Sequence, residues 1–289
     1  MNVAHPAGPA SQYGVGIVAP FDFALDRELW RWVPDEVSLH VTRIPGPGPG
    51  TGSGAGPGPG TPRGTLCDAV RALLAVDPQV VAYACPTGSC AGGLAGEREL
   101  RALMLGTAVS AAPHGAVTAA GALLAALREL GVQRVALLSP YRPEAVDRLA
   151  AFLAEAGVRT TGRRSLDPAA AAEPWRLGYR EVVELARAVP LGGAEALVLG
   201  SANLPSYEVV PQLEAELRLP VLAANQVTVW AALRELGRLP VGPYQALTDP
   251  AARAALSCPT PAPAPAPAPA AASAPARGLA PAPPDPAAP

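Results

Sequence analysis

A thiol that ends a buried strand and is followed by small polar residues is a candidate nucleophile. In "VAYACPTGSC" (81–90) the apolar run Val80 to Ala84 stops at Cys85, and Pro86, Thr87, Gly88 and Ser89 follow. Those four residues can neither continue a strand nor begin a helix without a turn, so a turn is predicted directly after Cys85. A cysteine near the N-terminus of a following helix can lose its proton to the helix dipole and to N–H donors, with no histidine needed. The bland alternative is an inert buried thiol, because free cysteine behaves as a small hydrophobe. Cys90, in the same loop, reads as a spectator. Four cysteines in 289 residues, Cys67, Cys85, Cys90 and Cys258, do not form a disulfide framework.

Composition removes several competing chemistries. The chain has no lysine; all 22 of its cationic side chains are arginine. Lysine Schiff bases, pyridoxal phosphate chemistry and Walker-type phosphate loops are therefore excluded. A net charge of −2 advertises no basic surface, so no nucleic-acid partner is expected. Cys85 and Cys90 lack a second pair, and His5, His40 and His114 are scattered, so no metal site is read. No stretch approaches the ~18–20 apolar residues of a membrane span, and "MNVAHPAGPASQYG" lacks the pattern of a signal peptide. The expectation is a cytoplasmic protein without a cofactor and without a membrane partner. Glu97, Glu99 and Asp147 lie on arginine-rich helical stretches and read as solvated faces.

The elements that must position Cys85 follow from periodicity. Strands are predicted at 13–19, 36–43, 79–85, 133–139, 158–165, 195–201 and 219–225. Helices are predicted at 65–77 with Thr65 as N-cap, at 96–104, at 118–131 closed by Gly131, and at 143–157 with Pro143 near its start. Further helices are predicted at 179–189, 206–217 and 228–237. Alternating strands and helices imply parallel sheets with helices on both faces. Residues 1–12 read as a flexible N-terminus and 45–64 as a Gly/Pro insert that cannot bury a core. Residues 13–240 form the globular unit, 241–257 a closing segment, and 258–289 a Pro/Ala tail, with Cys258 inert at its edge.

The chain also repeats itself. "VGIVAPF" (15–21) resembles "VALLSPY" (135–141), and "VVAYAC" (80–85) resembles "ALVLGS" (196–201). Pro20 precedes Cys85 by 65 residues and Pro140 precedes Ser201 by 61, which suggests two similar half-domains with Cys85 and Ser201 in equivalent places. Ligands of open parallel sheets sit beyond the carboxyl ends of the strands, so the two residues would stand on opposite walls of one cleft. The bland reading of Ser201 is a capping serine before the helix at 206.

The motifs "AYACPTGS", "LLSPY" and "LGSANLPSYEVVPQLEAELRLPVLAANQVTVWAALRELG" resemble the aspartate/glutamate racemase superfamily. Within it they are most similar to the maleate cis–trans isomerases and arylmalonate decarboxylases, over roughly residues 13 to 240. The resemblance implies two pseudosymmetric α/β half-domains, each a mostly parallel sheet with helices on both faces, around a cofactor-free active site. It implies that Cys85 is the first-half cysteine, that Tyr141 hydrogen-bonds a substrate carboxylate, that Asn203 helps bind it, and that Thr87 is a hydroxyl donor. Three positions depart from the pattern. Ser201 replaces the second-half cysteine, Phe23 or Phe21 stands where an asparagine binds carboxylate, and Pro86 replaces a threonine-type residue and removes an N–H.

A serine hydroxyl with no histidine to activate it is too weak a base for two-base racemisation. Cis–trans isomerisation needs only one thiolate, which adds to an activated double bond, allows rotation and leaves. Decarboxylation also needs one cysteine, but the known decarboxylases keep that of the second half. The resemblance therefore implies a maleate isomerase-like enzyme acting on a small unsaturated dicarboxylic acid. The alternatives are an arylmalonate decarboxylase-like enzyme or a non-catalytic small-acid-binding descendant. A homo-oligomer stays open.

Overall fold

Val80–Tyr83 (β3) and Ala196–Leu199 (β7) are buried at every residue, because each is an inner strand paired on both edges and covered on both faces. The computed structural model describes residues 13–45, 63–107, 113–166 and 173–257. The expectations for residues 1–12, for most of the Gly/Pro insert and for the tail with Cys258 lie outside the described residues.

In the first half β3 lies between β1 (Tyr13–Ala19) and β4 (Gly115–Thr118), with β2 (Val37–Arg43) beyond β1, in the order β2-β1-β3-β4. The second half repeats this with β5 (Arg134–Ser139), β6 (Arg159–Ser165), β7 and β8 (Val221–Ala223) in the order β6-β5-β7-β8. All described strand pairs are parallel. The register carries the repeat to the residue. Val15 pairs with Val80 and Val135 with Ala196, while Val18 pairs with Tyr83 and Leu138 with Leu199. Cys85 and Ser201 therefore each stand two residues beyond the end of an inner strand, as the spacing of the repeat predicted.

Helices cover both sheets. In chain order they are α1 (Asp26–Leu29), α2 (Arg63–Leu74), α3 (Pro86–Cys90), α4 (Gly93–Gly106), α5 (Ala119–Glu129) and α6 (Pro143–Glu155). Then come α7 (Tyr179–Arg187), α8 (Val209–Leu217), α9 (Ala224–Glu235) and α10 (Pro250–Ser257). The largest apolar cluster belongs to both halves. It takes Val15, Ile17, Val80 and Ala82 from one sheet, Val135, Leu137 and Val198 from the other, and Leu127, Phe152 and Trp230 from helices between them. Each sheet packs its outer face on a smaller cluster of its own, with Leu66, Val70 and Met104 in one and Val182, Leu213 and Val221 in the other.

Several local expectations are corrected. A helix, not a turn, follows Cys85: α3 begins at Pro86, because proline is tolerated at the first helical position, where its missing N–H has no intrahelical partner to lose. Strand β4 is absent from the sequence reading, since it runs straight into α5 with no punctuating residue; Thr118 ends the strand and its hydroxyl caps the helix at Gly121 N, 3.0 Å away. For the same reason β8 stops at Ala223 and α9 begins at Ala224. Thr65 lies inside α2. Glu99 and Asp147 are exposed and paired with arginines. Glu97, by contrast, is buried and accepts the Thr118 hydroxyl at 2.7 Å. Among the described residues no helix is long and apolar enough to cross a membrane.

Candidate active site

Cys85 is the N-cap of α3. Its φ of −125° and ψ of 99° are extended, and its Sγ receives the Gly88 N–H at 3.3 Å. The Thr87 hydroxyl is 3.7 Å from the same sulfur. Tyr83, two residues back and so on the same side of the strand, brings its hydroxyl to the sulfur as well. Gly88 admits both groups: a Cβ there would collide with the Tyr83 hydroxyl and stand 3.0 Å from Cys85 Sγ. The short helix is held by Ser89, whose hydroxyl donates to the Cys85 carbonyl at 2.7 Å and accepts Ala120 N–H at 3.0 Å.

These donors favour a thiolate, but burial opposes it. Cys85 is 1% exposed and one side packs on the first-half apolar cluster, so desolvation pushes its thiol up, partly offset by Thr87, Gly88 and Tyr83. A helix of five residues has little dipole to add. In this arrangement burial raises the Cys85 thiol while the groups around it would stabilise its anion. Cys90 is pushed up to about 12 by burial and by the neighbouring Cys85. Its Sγ donates to the Thr87 carbonyl at 3.5 Å.

The second wall uses the same strand geometry with different chemistry. Ser201 follows β7, and its Oγ donates to the Tyr141 hydroxyl at 3.1 Å and accepts Asn203 N–H at 3.1 Å. It caps no helix, since α8 begins only at Val209. Tyr141 is buried and its phenol is pushed up, first by desolvation, with the charges of Asp22 and Cys85 adding to the effect.

Asn203 links the halves. Its Oδ1 accepts Ala24 N–H and its Nδ2 donates to the Asp22 carbonyl, both at 3.0 Å, across 179 and 181 residues of chain. Both polar ends of this fully buried amide thus engage the loop after β1. Phe23 is 3% exposed and lies in the shared core, while Phe21 is half-buried. The structure therefore joins Tyr141, Ser201 and Asn203 in one hydrogen-bonded set and Cys85 with Thr87 in another, and it turns Phe23 into the core.

Three residues escape a sequence reading. Tyr83 was within reach of it, through the i, i+2 alternation that aligns it with Cys85. Asp22 sits between the two phenylalanines and its charge is felt at both Cys85 and Tyr141. Glu28, 7% exposed, clamps the far loop. It accepts the Ser206 N–H at 2.8 Å, the Ser206 hydroxyl at 2.7 Å and the Asn225 amide at 3.3 Å. Burial raises its pKa against those donors. No local pattern in "FALDREL" announces a partner 178 residues away.

Comparison with known proteins follows the same geometry. A family model described as arylmalonate decarboxylase matches residues 66–243. Maleate isomerase of Nocardia farcinica is 31% identical over 166 residues, which is 57% of this chain and 66% of that one. Arylmalonate decarboxylase of Bordetella bronchiseptica is 34% identical over 124 residues, 42% of this chain and 51% of that one. The chain thus spans between about half and two thirds of the length of these relatives. A solved structure of a cysteine-to-serine mutant of the Nocardia farcinica maleate cis–trans isomerase, with a covalently bound succinylcysteine intermediate, superposes with a TM-score of 0.66. It is 26% identical, over 78% of this chain and 94% of that one.

Proposed function

The chain belongs to the arylmalonate decarboxylase family, within the aspartate/glutamate racemase superfamily, and on that premise we propose that it is a cofactor-independent isomerase of the maleate cis–trans type, with Cys85 as nucleophile. The observation that carries this reading is the unequal pair of strand ends: a thiol that accepts the Gly88 N–H and lies beside the Thr87 and Tyr83 hydroxyls at one, and a serine bonded to a tyrosine at the equivalent position of the other. Two-base racemisation needs a base on each face of a carbon, and Ser201 supplies none. One thiol suffices for reversible addition. Sulfur bonds one alkene carbon, the π electrons move to the other, and that carbon takes the proton the thiol gives up. The saturated adduct rotates about its central single bond. Elimination then breaks the C–S bond, returns the proton to sulfur and releases the trans acid, so nothing is consumed.

Tyr141 and Ser201 hold a carboxylate in this scheme, and Thr87, Gly88 N–H and Tyr83 stabilise the sulfur as its proton leaves. The covalent succinylcysteine described for the Nocardia farcinica relative is the adduct such a route requires. Decarboxylation is the weaker reading, since decarboxylases keep the second-wall cysteine and this chain has Ser201 there. Non-catalytic binding of a small acid is the second reading, favoured by the burial of Cys85. Proton NMR with maleate, an arylmalonate, aspartate and glutamate separates them. Conversion of maleate to its trans isomer supports the isomerase. Loss of carbon dioxide from the arylmalonate supports the decarboxylase. No conversion, with maleate still shielding Cys85 from iodoacetamide, supports the binder.

A further inference from the structure

Asp22 is an acidic group in the cluster that the proposed reaction leaves unused. Its Oδ1 is sealed from water and has no hydrogen-bond partner. Its position is fixed, because the Asn203 side chain grips the Asp22 carbonyl and the Ala24 N–H, on either side of Phe23. The Asn203 N–H in turn meets Ser201 Oγ, which bonds Tyr141. The Asp22 backbone is thus tied through Asn203 to Ser201 and Tyr141, and the Asp22 carboxylate adds a small effect at the Cys85 thiol.

The charged groups around it offer no compensation. Arg43 donates to the Phe23 carbonyl and to Asp26. Glu28 is held by Ser206 and Asn225. Arg148 makes its charge felt at Cys90. Burial pushes the Cys85 thiol and the Tyr141 phenol up. A doubly charged acid would bring a carboxylate beside the half-buried one of Asp22, which makes no ion pair among the described residues, and like charges in such a place cannot both stay ionised.

We propose that Asp22 determines specificity by setting the charge state of the acid this site accepts: a small acid binds with one carboxylate ionised and its second polar group presenting a hydrogen to Asp22. A neutral amide meets that demand directly, whereas a dicarboxylate meets it by taking up one proton, shared with Asp22. This rests on the reading of the site as one for small unsaturated acids. Burial already raises the Asp22 carboxyl, partly offset by its own backbone and by the Asn203 side chain, and that direction eases such sharing.

Calorimetry on the full chain tests it with succinate and its monoamide, saturated acids that cannot react. Above the pKa of Asp22, and between about pH 6.5 and 8.5, the Kd of succinate should rise about tenfold per pH unit while that of the monoamide stays within about twofold. Asp22→Asn should flatten the succinate slope and bring its affinity at the upper pH to that of the monoamide; Asp22→Ser, smaller and also neutral, should do the same should the first variant fold poorly. Succinate binding that is independent of pH and unchanged in both variants overturns the role of Asp22 and leaves the isomerase reading intact. Failure of both acids to bind, or to shield Cys85 from iodoacetamide, removes the acid site and both readings with it.

Discussion

Two equivalent strand ends of one fold hold Cys85 and Ser201, and their backbones agree until the reactive residue is reached. Ala84 N–H donates to the Val18 carbonyl at 2.9 Å, and Gly200 N–H donates to the Leu138 carbonyl at 2.8 Å. Beyond that point they diverge. Cys85 starts a helix at once, and both the Gly88 N–H it accepts and the Thr87 hydroxyl beside its sulfur come from that turn. Ser201 opens a loop that runs to Val209, and its partner Tyr141 lies 60 residues away. An inner strand can thus place an atom reproducibly while the segment after it decides the chemistry. On the first wall that segment is self-contained. On the second it is held by Asn203 and Glu28, which reach across to the other half.

The largest effect should come from exchanging the first wall's chemistry for the second's. Cys85→Ser should lower any turnover of maleate by about a thousandfold or more, since the hydroxyl has no base to activate it. Its melting temperature should stay close to that of the parent, because the donors around the sulfur serve an oxygen as well. NMR turnover and a thermal melt measure the two; retained turnover would break the assignment of the walls.

Next in size is the clamp on the second wall. Glu28→Ala strands the Ser206 N–H and hydroxyl without their acceptor and leaves the Asn225 amide only the Ala202 carbonyl, and should cost about 2–4 kcal/mol in urea unfolding. A cost below about 1 kcal/mol would mean that the loop is held by something else.

A smaller effect, specific to the second half, is expected at Glu214. This buried carboxylate accepts Val221 N–H at 2.9 Å and Ala246 N–H at 2.8 Å, and desolvation raises its pKa from 4.5 to about 7. Between those values the folded state binds more protons than the unfolded chain, so this contribution to stability is present below about pH 4.5 and is lost as pH rises to about 7. Glu214→Gln should flatten that part of the stability–pH profile, measured by urea unfolding at several pH values.

The smallest change should come from Ser201→Ala. It removes one donor to Tyr141 and one acceptor for Asn203 N–H, and should weaken maleate binding by about tenfold or less, with a stability cost near 1 kcal/mol. A loss as large as that of Cys85→Ser would make the two walls chemically equal and reopen a two-sided mechanism.

What the sequence determined by itself is the scaffold and the equivalence of its two reactive positions. Buried inner strands read as short apolar runs, helices as 3.6-residue stripes, and the near-equal spacings of Pro20 to Cys85 and Pro140 to Ser201 carry the repeat, because all of these are local properties of the chain. Elements without a local boundary were lost, as β4 was where it merges with α5. Only the tertiary structure decided the company these residues keep. It turned Phe23 into the core and sealed Asp22 Oδ1 from water, engaged Asn203 with backbone 179 residues away, buried Glu28 against Ser206, and pushed the Cys85 thiol up by desolvation. Burial and hydrogen-bond partnership belong to the packed chain, since they depend on which distant segments exclude water from a group, and no short-range pattern encodes that.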